Sequence, residues 1–391
     1  MKYVTRSYAS ARRKLAKNCA ILVTMRVSAF LLCLITIAAR AQQPSAGDLL
    51  RTAINEQQQG QYEAAIRDYR KTLQLDPKMV EARVNLGAAL SHVGEFDEAI
   101  AMYKAALPSL SFKNPVILNI GLAYYKKGDY ANAREQFEAV HKLQPNDGRV
   151  ATLLGDTELR LNKASDAVAL MQPLEAGNSD NLDFQYVYGS ALIASGHRAD
   201  GAKHVEKVAQ AGNIPEAYLL AGTTQLQIND YESARPNLEA ALRLNPKLPN
   251  IYTLVGTVRD KTGDAKDAEP AFREALKLNP DDFDANLYLG AILYKRRDMD
   301  EAKGLLDHAL KLNPTNTLAR YEVAMFKSTS GQYAEAAQEL ESLVKEDPNW
   351  LDPHVELATL YYKLHRPEDG ARERQVVDRL RAQEQKAGPG K

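Results

Sequence analysis

The chain has 391 residues, with 50 Lys and Arg against 50 Asp and Glu, so its formal net charge is zero. The charge is unevenly placed, because residues 1–41 contain eight basic and no acidic residues, and the remainder is therefore mildly acidic. An acidic body excludes the usual nucleic-acid-binding classes, since a phosphate backbone requires a basic protein surface.

Residues 1–41 have the pattern of a secretory signal peptide. A basic leader precedes a 13-residue apolar run from Val27 to Ala39, and an A-x-A site precedes Gln42. This run is shorter than the roughly 20 apolar residues that a spanning helix needs. The sequence therefore predicts export to the periplasm or secretion, with Met25 as an alternative start. An uncleaved membrane anchor and a cytoplasmic basic tail are the alternatives that this pattern leaves open.

Cysteine use agrees with export. Cys19 and Cys33 both fall within the leader, so the mature chain would contain no disulfide framework and no thiolate metal site. Residues 42–45 follow as a short linker, and residues 46–384 form the body of the protein.

The body is predicted to consist of ten helix pairs that begin near residues 46, 80, 114, 148, 182, 215, 249, 283, 317 and 351. A small residue recurs in the first helix every 34 residues, with a single step of 33. These residues are Ala53, Gly87, Gly121, Gly155, Gly189, Gly222, Gly256, Gly290, Ala324 and Ala358. A second register in the second helix holds Ala65, Ala99, Ala133, Ala167, Gly201, Ala234, Ala268, Ala302, Ala336 and Gly370.

The glycines of the first helix predict a close helix–helix contact. A glycine in a helix interior costs roughly 1 kcal/mol relative to alanine, so packing must compensate. We expect the alanine register of the second helix to complete a contact of small residue against small residue.

This period and residue set resemble the tetratricopeptide repeat family over nearly the whole chain after residue 45. The resemblance implies an all-α fold, namely an α-solenoid in which antiparallel helix pairs form a right-handed superhelix whose inner groove binds protein segments. Repeats four and five are the least regular, which predicts a local change of superhelix curvature or, alternatively, a hinge. The tenth unit is polar, as the end of a solenoid requires, and residues 385–391 are predicted to be a disordered tail.

No catalytic or cofactor-binding motif is present in the sequence. The seven histidines lack metal-binding spacing, and phosphate-loop, nucleophile-elbow and zinc-protease patterns are absent. The DKTG segment from Asp260 to Gly263 resembles the phosphorylated motif of P-type ATPases, but Gly263 falls in the register of the turn glycines. We therefore predict a protein that is not an enzyme, with no cofactor, no metal and no small-molecule substrate.

The resemblance places the second, fifth, ninth, twelfth and thirteenth residues of each unit on the concave face. No fifth residue is basic and no ninth residue is asparagine, so the Lys/Asn clamp for the carboxylate of a chaperone tail is absent. Aromatic rings beside lysines suit a peptide, whose acidic residues the lysines would attract. The alternative is that the tyrosines pack between neighbouring repeats. We expect the candidate partner-binding residues to form part of an exposed inner stripe, with the lysines beside the tyrosines. These residues are Tyr125, Lys126, Tyr186, Tyr294, Lys295, Tyr321, Tyr362 and Lys363.

These observations predict a non-catalytic protein-interaction scaffold that is exported to the periplasm or cell envelope and binds a peptide or protein segment in its groove. Two alternatives remain open at this point. The protein could be the regulatory or partner-recognition subunit of an enzyme complex, or an assembly factor of the envelope or of a pilus.

Overall fold

The computed structural model describes residues 44–387, and within them the fold is entirely α-helical, with no strand. The predicted signal peptide and the last residues of the predicted tail lie outside this range. Helix formation begins at Ala46, where the Ser45 side chain accepts a hydrogen bond from the Asp48 backbone N–H in a capping box. The last helix continues to Ala387, beyond the end predicted for the repeats at residue 384.

The helices divide into two compact units at Leu143 and Gln144, and in each unit every odd-numbered helix packs against the even-numbered helix that follows it. Unit 1 contains α1 (Ala46–Gln58), α2 (Tyr62–Leu75), α3 (Val80–His92), α4 (Phe96–Ala106), α5 (Asn114–Lys127) and α6 (Tyr130–Leu143). Its core includes the buried Tyr69, Leu86, Tyr103 and Ile120.

Unit 2 contains seven further pairs, and its buried clusters follow one another along the chain. Its helices are α7 (Gly148–Arg160), α8 (Ala164–Met171), α9 (Leu182–Ala194), α10 (Arg198–Gly212), α11 (Pro215–Gln227), α12 (Tyr231–Leu244), α13 (Ile251–Lys261), α14 (Ala265–Leu278), α15 (Phe283–Lys295), α16 (Met299–Leu312), α17 (Thr317–Thr329), α18 (Tyr333–Glu346), α19 (Leu351–Lys363) and α20 (Pro367–Ala387). The structure is thus an α-solenoid. Successive first helices of unit 2, such as α7 with α9 and α15 with α17, also touch. We call the surface that they line the first-helix face of unit 2.

The small residues of the first helices make the close contact predicted from the sequence. A Cβ added at Gly121 would lie 2.5 Å from Cε1 of Phe137, and one added at Gly256 would lie 2.6 Å from Cε1 of Phe272. The predicted contact partner, the alanine of the second helix, was wrong. The space left by the glycine is filled by a large residue that lies four positions after that alanine in the second helix. Complete burial of a phenylalanine returns about 1.5–3 kcal/mol, which exceeds the cost of the glycine.

The fifth pair differs from the others, since it brings two glycines together. A Cβ added at Gly189 would lie 2.9 Å from the carbonyl oxygen of Gly201, and one added at Gly201 would lie 2.6 Å from the carbonyl oxygen of Gly189. Here α9 and α10 meet through their backbones, as a contact of small residue against small residue predicts.

Each turn between the two helices of a pair contains one residue with positive φ. Glycine holds this position in six turns, with φ between 76° and 95°. Gly263 is one of them, with φ 83°, which agrees with its assignment to the turn register. In the other four turns the residue is Asn162, Asn229, Arg297 or His365. The left-handed conformation therefore recurs in all ten described pairs, even where the sequence lacks the glycine that favours it.

The fourth pair contains the most irregular connection. Its second helix, α8, has only 8 residues and is followed by short 3-10 helices at Gln172–Leu174 and Ala176–Asn178. In the sequence, repeat four also lacks the proline that ends six of the ten units, such as Pro145 and Pro246. The hinge stays a prediction.

Candidate functional site

Tyr294, one of the candidate groove residues, is buried. Its side chain is 4% exposed, its hydroxyl donates a 2.8 Å hydrogen bond to Oε2 of Glu322, and its ring meets Phe326 edge-on at 6.5 Å. Glu322 and Phe326 both belong to α17, the first helix of the next pair. The expectation that Tyr294 is exposed is therefore wrong, and the alternative of packing between repeats describes this ring.

The other candidate tyrosines differ from one another in exposure and in their neighbours. Tyr186 and Tyr362 are 37% and 39% exposed, whereas Tyr125 and Tyr321 are half-buried. The ring centres of Tyr125 and Tyr130 lie 5.3 Å apart in an edge-on contact, and those of Tyr321 and Trp350 lie 5.1 Å apart. Tyr362 packs against α20, the second helix of the same pair, and the Arg374 guanidinium lies 4.6 Å from the centre of the Tyr362 ring.

The candidate lysines Lys126, Lys295 and Lys363 are all exposed. Nζ of Lys295 lies 5.8 Å from the ring centre of Tyr294, as the pairing of ring and cation predicts. Nζ of Lys363 instead lies 4.7 Å from the ring centre of Tyr333, on the second helix of the preceding pair. Lys363 therefore contacts the ring of Tyr333 and not that of Tyr362, its neighbour in the sequence.

Tyr186, one of the candidate residues, contributes to a pocket. An open pocket of about 450 Å³ lies between α7, α9 and α11 on the first-helix face of unit 2. Its apolar lining comes from Leu153, Leu182, Val187, Val208 and Ile214, and its polar lining from Thr152, Asp156, Asp183, Tyr186 and Glu216. Pockets of this size with a few convergent polar groups are typical of binding sites.

The electrostatic environment of this pocket is acidic. Burial raises the pKa of Tyr186, and the carboxylates of Glu216 and Asp156 raise it further, against the opposing effect of Arg160. Asp156 has a cationic neighbour, with Nε of Arg160 3.9 Å from its Oδ1. Asp183 and Glu216 are exposed, and neither forms a salt bridge with another residue of the described range.

Carboxylates also surround other tyrosines of the first-helix face of unit 2. Burial raises the pKa of Tyr288 to about 12, with further contributions from Asp284 and Asp260. Burial likewise raises the pKa of Tyr321, with Asp352 as the next largest cause. We did not anticipate this acidic environment. A signal was present in the sequence, because the second residue of four first helices of unit 2 is acidic, namely Asp183, Glu216, Asp284 and Asp352.

Two further features of residues 44–387 concern metal binding and membrane spanning. No group of three or more His, Cys, Asp or Glu side chains is arranged to hold a metal ion. No helix in this range combines the length and apolar character needed to cross a bilayer.

Sequence comparison identifies the family. Models described as tetratricopeptide repeat match residues 57–110, 118–181, 215–248 and 256–317, which together cover more than half of the chain. The chain belongs to the tetratricopeptide repeat family. The resemblance deduced from the 34-residue period is thereby confirmed, and a tetratricopeptide repeat fold supports a role in protein–protein interaction.

Several individual proteins are similar to parts of this tetratricopeptide repeat chain. Protein FlbA of Caulobacter vibrioides is 25% identical over 186 residues, which are 46% of this chain and 31% of FlbA. BBSome complex member BBS4 of Bos taurus is 24% identical over 188 residues, which are 48% of this chain and 30% of that protein. The chain thus spans about a third of the length of these relatives. Among solved structures, a tetratricopeptide repeat protein from Parabacteroides merdae aligns with TM-score 0.47 and 13% identity, covering 63% of this chain and 98% of that one.

Proposed function

We propose that this protein is a non-catalytic scaffold that binds a peptide or protein segment on the first-helix face of unit 2. The observation that carries the proposal is the open pocket of about 450 Å³ between α7, α9 and α11. It combines an apolar lining with the half-exposed ring of Tyr186. Tyrosine provides apolar contact and a hydroxyl at small entropic cost, which is why it is frequent among residues that dominate binding energy.

Export to the periplasm or cell envelope is part of the same proposal. It rests on the leader of residues 1–41, with its basic start, apolar run and A-x-A site before Gln42.

The non-catalytic part of the proposal is supported by the family models, because all three that match describe tetratricopeptide repeats.

Site-specific photocrosslinking tests the binding face. A photoreactive phenylalanine analogue replaces Tyr186 in the full chain, and the matched control carries it at Leu244, which is 42% exposed on the second helix α12. We expect irradiation in the native host to give a covalent adduct of defined mass from position 186 and none from position 244. Adducts from position 244 alone would contradict the assignment of the face.

A further inference from the structure

We propose that the pocket between α7, α9 and α11 binds a cationic peptide segment in which a large apolar side chain lies next to lysine or arginine. This inference rests on the proposed function and specifies the chemistry of its partner. It reverses the charge that the lysines of the candidate set suggest, because it is based on the groups that line the pocket itself.

The apolar half of the ligand follows from the interior of the pocket. Leu153, Leu182 and Val187 line it together with Val208 and Ile214, and the ring of Tyr186 adds a further wall. A pocket of about 450 Å³ has room for one large side chain with part of its neighbours. Leucine, isoleucine or an aromatic residue would remove the most apolar surface from water there.

The cationic half of the ligand follows from the rim. Three of the ten lining residues carry carboxylates, and none is a lysine or arginine. Asp183 and Glu216 are exposed and form no salt bridge within the described range, so their charge is available to a ligand. A lysine or arginine next to the inserted apolar side chain would lie at the rim of the pocket, where its positive charge is complementary to these carboxylates.

The acidic character extends along the same face to later repeats. Asp284 and Asp352 occupy the same second position in α15 and α19 as Asp183 does in α9. Burial raises the pKa of Asp284, and the neighbouring Asp282 raises it further, because two like charges oppose ionisation. A cation placed near this carboxylate would relieve that repulsion, so a longer basic segment would be favoured along the face.

Helix stability offers a competing reason for these acids. Acidic residues in the first turn of a helix are stabilised by the helix dipole, typically by about 0.3–1 kcal/mol. Asp166 in α8 and Glu232 in α12 are also exposed first-turn acids, but they lie on second helices and do not line the pocket. They provide a control with the same charge change, also within the first turn of a helix.

The test begins with selection from a phage-displayed library of random twelve-residue peptides on the immobilised full chain. Synthetic copies of the enriched peptides are then measured by fluorescence anisotropy against three proteins. These are the wild type, the double variant Asp183→Lys/Glu216→Lys, and the control double variant Asp166→Lys/Glu232→Lys.

We expect enrichment of peptides that place Lys or Arg beside a large apolar residue. Their affinity should fall about tenfold or more in Asp183→Lys/Glu216→Lys, change less than about twofold in the control variant, and weaken with added salt. Selection of acidic peptides, or equal affinities in the two double variants, would overturn the inference and leave the scaffold function standing. A library that yields no binder to the wild type would count against the proposed function itself.

Discussion

Two tyrosines in the same register of their repeats, Tyr294 and Tyr362, differ in exposure because their neighbours differ. Tyr294 is followed by α17, which supplies Glu322 as a hydrogen-bond acceptor and Phe326 as a ring contact. Tyr362 belongs to the last described pair, so no later first helix covers it, and it is 39% exposed. Burial of a residue in a repeat array therefore depends on the unit that comes next.

Tyr294→Ala is expected to destabilise unit 2 by about 3–5 kcal/mol, because it removes a buried ring and leaves a cavity. Tyr362→Ala removes the corresponding ring at the exposed end and should cost much less. Urea denaturation followed by circular dichroism measures both changes. Equal losses in the two variants would show that the next repeat does not determine the burial of this position.

The buried Tyr69 makes the stability of unit 1 sensitive to alkaline pH. Burial raises its pKa to about 12, and Glu81 and Glu56 contribute in the same direction. An unfolded tyrosine titrates near 10, so above that pH the unfolded state binds fewer protons than the folded state. Its contribution to stability is fully present below about pH 10 and is lost as the pH rises towards 12. Urea midpoints measured from pH 9 to 12 should fall in this window, and fall less steeply in Tyr69→Phe.

The residue scale also shows what the sequence could and could not predict. The 34-residue glycine register predicted a close helix contact, which the structure confirms at Gly121 and Gly256. It did not predict that Phe137 fills the space, because spacing along one helix does not specify which side chain of the partner points at it. The exposure of Tyr294 was mispredicted because it depends on side chains 28 and 32 residues later in the sequence.

At the scale of elements, the turn within each helix pair requires a left-handed residue whether or not the sequence supplies glycine. Arg297 has φ 73° between α15 and α16, and Gly263 has φ 83° between α13 and α14. A left-handed non-glycine residue costs roughly 1–2 kcal/mol, so an arginine at this position retains strain.

Arg297→Gly is accordingly expected to stabilise unit 2 by about 1 kcal/mol. Gly263→Ala should destabilise it by a similar amount, although a Cβ at this glycine would meet nothing within 4 Å. Thermal and urea denaturation give both values. A destabilised Arg297→Gly variant would show that the arginine side chain contributes more than its backbone strain costs.

The backbone contact between α9 and α10 supports a second prediction at this scale. In Gly201→Ala the new Cβ would approach the carbonyl oxygen of Gly189 to 2.6 Å, and a backbone atom cannot rotate away as a side chain can. We expect a loss of about 1–3 kcal/mol, as for other overpacked contacts. Gly304→Ala is the control, since Gly304 lies inside α16 with nothing within 4 Å of the added atom. It should stabilise by about 0.5–1 kcal/mol through helix propensity.

At the scale of the whole molecule, the ten helix pairs of residues 44–387 and the approximate starts of their first helices were accessible from the sequence, because each unit repeats the same local signals. The division into two compact units after Leu143 was not predicted. Periodicity describes what neighbouring repeats share and carries little information about where the chain divides into compact units.

The export proposal makes a prediction about the whole chain. If the leader is removed at its A-x-A site, the native protein begins at Gln42 and lacks both Cys19 and Cys33. Intact-mass analysis of protein isolated from its host should show the loss of residues 1–41, with no free thiol on titration. A full-length species in the cytoplasm would contradict the proposal, and a species beginning at Met25 would indicate an uncleaved leader.

Within each unit, the most extensive packing is between helices that are adjacent along the chain. This local packing determines when each part of the chain can fold during synthesis. Folds built from local contacts typically form in microseconds to milliseconds. A ribosome adds roughly 5–20 residues per second, so one 34-residue repeat takes about 2–7 seconds to synthesise. Each helix pair therefore has time to pack against the preceding pair of its unit before the next has been made, and the solenoid can grow in the order of translation.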